Sequence, residues 1–212
     1  MTVSSPAPRS SSTTPRLLAL ASLCVVALGI LLLLRPTSPT VTVPESLESV
    51  ADWVIIHVDV TTVLAATTAL AVVSMVRNLH YGIGAILMLG VGANLTTAAL
   101  GSWITDAPTT LLPSGHVVAA AALYGSAVLV SAPRWRPVVI GLGISGVAGV
   151  CISASAAEMS GIFGVIAGLL VAAAWGCAAA VLMERSPIAA QREALRADTA
   201  VVAFSRHRSI HL

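Results

Sequence analysis

The feature that most restricts this chain is a series of apolar runs too long for the helices of a soluble domain. Leu17 to Leu34 is unbroken by any charge and closes on Arg35-Pro36. A hydrocarbon core about 30 Å thick needs roughly 20 such residues in a helix. Further runs follow within 51–76, from Tyr81 to Trp103, from Val117 to Val130, from Val138 to Ser155 and from Gly161 to Met183. Only 9% of the residues are charged and 57% are hydrophobic, against about 25% charged in a soluble domain. The expectation is an integral membrane protein, all-α, folded as a six-span helix bundle. The first run is longer than the apolar segment of a usual signal peptide, and no clear small-x-small cleavage site follows it.

Polar segments divide the chain. Residues 1–16 are Ser, Thr and Pro with Arg9 and Arg16, the composition of a disordered tail. The membrane domain is expected over 17–183 and a polar, solvated tail over 184–212, with an amphipathic helix from Ile188 as the alternative. The eleven basic residues are all Arg. Six spans put both tails on one face, together with Arg77, Arg134 and Arg136. The other face keeps Arg35 against Glu45, Glu48, Asp52, Asp106 and Glu158. The positive-inside rule then makes both tails cytoplasmic in a plasma membrane. Cys24, Cys151 and Cys177 have no metal-ligand spacing and read as small apolar side chains. The glycines of the last two runs (Gly141, Gly143, Gly146, Gly149, Gly161, Gly164, Gly168 and Gly176) read as small residues that let helices approach closely.

One stretch carries chemistry. Pro113-Ser114-Gly115-His116 opens the fourth run. Proline suits the first turn of a helix, because its missing N–H has no partner there. Ser114 and Gly115 would then offer N–H groups to an anion at the positive end of the helix dipole. His116 adds a group that exchanges a proton near neutral pH. By the charge argument the stretch faces outward.

With Asn94-Leu95-Thr96-Thr97 and Pro108 before it, and Gly164 and Gly168 in the last run, this block resembles the bacterial membrane-bound type 2 phosphatidic acid phosphatases. The resemblance spans roughly residues 55–183. It implies a six-span bundle with an outward site that hydrolyses lipid phosphates or pyrophosphates without a cofactor. It casts His116 as the general acid, and Ser114 and Gly115 as phosphate-binding. The family's first motif is nearly gone, keeping only Pro108, and its third is gone. The first-motif Lys and Arg positions hold Leu100 and Ala107. The third-motif Arg, nucleophilic His and Asp positions hold Val150, Ala156 and Ser160. No His or Arg occurs between Pro137 and Met183. Phosphoryl transfer depends on positioned cations and an oriented nucleophile, so the reading is a divergent, catalytically impaired relative.

Its expected partners are a membrane lipid, phosphorylated or polyprenyl, or an envelope protein, and not nucleic acid. One alternative is an active phosphatase with a rebuilt site, in which Asp106, Glu158 and His116 hold a divalent metal. Another is a small transport or accessory subunit. His57 and Asp59, with Asp52 nearby, are titratable groups near the start of a run. An interfacial segment with wetted side chains is the favoured reading of them.

Overall fold

The computed structural model describes residues 13–36, 56, 60–77, 79–105, 108–156 and 161–185. Within them the chain is all-helical. The helices are α1 (Thr13–Leu34), α2 (Val60–Val76), α3 (His80–Trp103), α4 (Gly115–Val130), α5 (Arg136–Ala156) and α6 (Ile162–Glu184), with a single 3₁₀ turn, η1 (Thr109–Leu111). The helix ends follow the apolar runs closely. The largest departure is α1, which begins at Thr13, inside the expected polar tail. It ends where Arg35 takes a left-handed backbone, φ 44°, ahead of a proline that disfavours helix in the residue before it.

Among the described residues four helices are long and apolar enough to cross a membrane: α1, α3, α5 and α6. The six-span expectation is therefore met only in part. Helices α2 and α4 have 17 and 16 residues. At 1.5 Å per residue they reach about 25 Å, short of the roughly 30 Å core.

The helices alternate in direction. The Thr14 hydroxyl donates to Glu184 Oε2 at 2.6 Å, so α1 runs antiparallel to α6. Arg77, after α2, donates to the Val130 carbonyl at the end of α4, so α2 and α4 end together. One end of the bundle therefore gathers Arg16, Arg77, Arg134, Arg136 and Arg185. The starts of α4 and α6 lie at the other.

Helices α4 and α6 form the centre. Helix α1 packs on α6, α2 on α3 and α4, α3 on α4 and α6, and α5 on α4 and α6. The main core joins Ala85, Leu89 and Ala93 of α3 with Val118 and Ala122 of α4 and Val171 and Ala179 of α6. These are mostly small side chains, as expected where association relies on close van der Waals fit rather than on leaving water. The outer faces stay apolar: Leu23, Val25 and Leu33 of α1, Leu142 and Ile152 of α5 and Leu95 of α3 are all exposed. Trp103 stands exposed at one end of the bundle, and Tyr81 and Trp135 at the other. Amphipathic rings at those depths are typical of the two membrane–water interfaces.

The glycine-rich runs contribute less contact than expected. A Cβ built on Gly141, Gly146, Gly149 or Gly176 would meet nothing within 4 Å. Gly143 and Gly168 do admit neighbours: a Cβ on Gly143 would overlap the Tyr124 ring, and one on Gly168 would lie 3.3 Å from the Ser114 carbonyl oxygen.

Candidate functional site

The Pro113–His116 stretch enters α4 through a short, tightly held connection. The Leu111 N–H donates to the Pro108 carbonyl at 2.9 Å, closing η1. Leu111, Pro113 and Ser114 are buried. Ser114 is extended, φ −67° and ψ 119°, and is the N-cap of α4. Its carbonyl accepts the first intrahelical bond, from the Val118 N–H at 3.0 Å. Pro113 therefore precedes the N-cap and does not occupy the first helical turn, a correction to the sequence reading. The extended ψ of Ser114 places the helix start at Gly115.

Two backbone bonds tie this entry to the start of α6. The Ser114 N–H donates to the Gly164 carbonyl, and the Gly161 N–H donates to the Thr110 carbonyl, both at 3.2 Å. The Ser114 N–H is thus engaged and is not offered to an anion. The Ser114 side chain is 6% exposed and makes no capping bond to its own helix. Gly115 is exposed and His116 half-buried. The first three N–H groups of any helix have no intrahelical acceptor, so those of Gly115, His116 and Val117 are what remains of an anion-facing helix start.

The surroundings of that helix start are aliphatic. Val117 is fully buried and packs with Val150 and Ala154 of α5 and Val165 of α6. The start of α4, the end of α5 and the start of α6 therefore converge, and branched apolar side chains fill the junction. Ala156 is also buried. Leu100 packs against the main core. The remaining positions named from the sequence, Asp106, Ala107, Glu158, Ser160, Asp52, His57 and Asp59, lie outside the described residues. Among the described residues no group of three His, Cys, Asp or Glu stands close enough to hold a metal.

The chain matches no protein-family model, no curated protein and no solved structure. The chemistry of this end is then judged on its own groups. Among the described residues the start of α4 offers one imidazole, His116, a helix N-terminus with one N–H already committed, and an apolar floor. A phosphate brought onto the Val117–Val150–Ala154–Val165 surface would lose water and meet no cation within that cluster, an unfavourable transfer for any charge.

Sequence reasoning missed the partner of the stretch, the carbonyl of Gly164, and the neighbouring bond from the Gly161 N–H to the Thr110 carbonyl. The signal was present as Gly164 and Gly168, four apart on one helix face, a spacing that lets two backbones approach. The polar side chains of the run Asn94–Thr97 bond back to the backbone of α3 itself. Asn94 Nδ2 donates to the Gly90 carbonyl at 2.7 Å, and the Thr97 hydroxyl to the Ala93 carbonyl at 3.0 Å.

Proposed function

We propose that this chain is a non-catalytic membrane protein of the cell envelope, similar in plan to the type 2 phosphatidic acid phosphatases, that binds a lipid or an envelope protein and does not hydrolyse phosphate esters. In this reading α2 and α4 complete a six-span bundle, the arginine-bearing end is cytoplasmic, and His116 faces outward. The observation that carries the reading is the Val117–Val150–Ala154–Val165 junction. Its side chains are all aliphatic, and one of them, Val150, is the residue that the resemblance sets at a phosphate-binding Arg position; electrostatic stabilisation of the transferring group is the larger part of such catalysis.

Phosphate release by the purified full-length protein tests this reading. The substrates are lipid phosphates and a polyprenyl pyrophosphate, each with EDTA or with added divalent metal. Release is expected to stay at the no-protein level on every substrate, for the parent and for His116→Ala. Release that disappears in His116→Ala would overturn the reading, and EDTA sensitivity of that release would favour a metal-assisted site.

A further inference from the structure

At the end of the bundle opposite His116, a cavity of about 560 Å³ opens between the start of α1, the turn joining α4 to α5 and the end of α6. Leu20, Leu129 and Met183 give it an apolar wall, and Arg16, Arg136 and Glu184 stand around it. We propose that this cavity binds the headgroup of a monoanionic phospholipid from the surrounding bilayer. Arg16 and Arg136 pair with its phosphodiester, and an acyl chain lies along the apolar wall. The inference rests on the four long apolar helices lying in a bilayer. It is independent of whether the His116 end performs chemistry.

Charge is the first argument. Two guanidinium groups against one carboxylate leave the cavity with a net charge of +1. The carboxylate is already engaged, because Glu184 Oε2 accepts the Thr14 hydroxyl. Neither Arg16 nor Arg136 forms an ion pair among the described residues. A guanidinium presents a planar fork of donors that fits phosphate oxygens two at a time.

Depth is the second argument. Exposed Trp135 adjoins Arg136, and aromatic residues of this kind settle at headgroup level. A basic pocket between helix ends at that level is a recurrent anionic-headgroup site. Size is the third. The volume falls within the roughly 300–1,000 Å³ of small-molecule sites, enough for a headgroup and its glycerol but not for whole acyl chains. A free inorganic phosphate would leave the apolar wall uncovered.

The test is lipid retention by the full-length protein in mild detergent, read by native mass spectrometry over a titration of phosphatidylglycerol or phosphatidylcholine. The parent is expected to hold one phosphatidylglycerol at least tenfold more tightly than phosphatidylcholine, with no displacement by millimolar inorganic phosphate. Arg16→Gln with Arg136→Gln should bring phosphatidylglycerol down to the phosphatidylcholine level. Arg134→Gln should change it by less than twofold, because Arg134 lies over the Trp135 ring, 5.9 Å from its centroid, and does not line the cavity. Leu20→Trp, which fills the cavity and keeps both arginines, should weaken retention as the double variant does, and it decides the matter if the double variant fails to fold. Equal retention of both lipids by the parent, full retention by the folded double variant or by Leu20→Trp, displacement by phosphate, or an equal loss in Arg134→Gln would each overturn the proposal.

Discussion

Trp175 of α6 donates its indole N–H to the hydroxyl of Thr96 on α3 at 3.0 Å, and that hydroxyl in turn donates to the Gly92 carbonyl at 2.8 Å. A Cβ on Gly92 would lie 2.8 Å from the Trp175 ring. One face of α3 thus supplies both the space for the ring and the acceptor for its polar edge. Thr96 belongs to a run that the sequence marks as part of a phosphatase-like signature, yet its contact here is between helices.

The Trp175–Thr96 bond should be measurable as a coupling. Trp175→Phe keeps most of the ring and removes the donor, and Thr96→Val removes the acceptor. A double-mutant cycle on unfolding in mixed micelles should give a coupling of about 0.6 kcal/mol, the usual size for hydrogen bonds between membrane helices. Gly92→Ala should cost more, about 1–3 kcal/mol, because a rigid ring has to move. A coupling indistinguishable from zero would mean that the indole finds another acceptor.

Gly168 and Gly176 lie on the same helix and should respond oppositely to Ala. At Gly168 the new methyl meets the Ser114 carbonyl oxygen at 3.3 Å, part of a backbone held by its bond to Gly164. We expect a loss of about 1–2 kcal/mol there, as for other overpacked contacts. At Gly176 nothing lies within 4 Å, so Ala should be neutral or mildly stabilising through helix propensity. Thermal denaturation in detergent compares the two, and equal effects would contradict the close approach of α4 to α6.

Arg77 caps α4 from outside, through its bond to the Val130 carbonyl. A cation at the last turn of a helix also suits the helix dipole. Arg77→Ala should lower stability by about 1 kcal/mol, and Arg77→Lys by less. The same denaturation assay reads both, and a wild-type value for Arg77→Ala would assign Arg77 to solvent.

Cysteine labelling can decide whether the 16-residue α4 crosses the bilayer. In a background where Cys24, Cys151 and Cys177 are replaced, Gly115→Cys and Arg134→Cys mark its two ends. With intact cells and an impermeant maleimide, Gly115→Cys should label and Arg134→Cys should label only after lysis. Labelling of both from one side would reduce the number of crossings.

The apolar runs by themselves determined the helices and most of their ends. The reason is local: in lipid every backbone N–H and C=O must be paired within its own segment, so a long uncharged run has little choice but helix. The alternation of the runs likewise anticipated that Arg16, Arg77, Arg134, Arg136 and Arg185 gather at one end of the bundle. Tertiary structure decided the contacts, because small apolar side chains carry almost no pairing code. The eight glycines of the last two runs look equivalent in sequence, yet Gly168 admits another backbone while Gly141 and Gly176 face open space. The Pro113–His116 stretch shows the same division. Its residues announce a helix start, but whether the Ser114 N–H serves an anion or the Gly164 carbonyl depends on how closely α6 approaches. That distance is set by packing across some fifty residues of intervening chain.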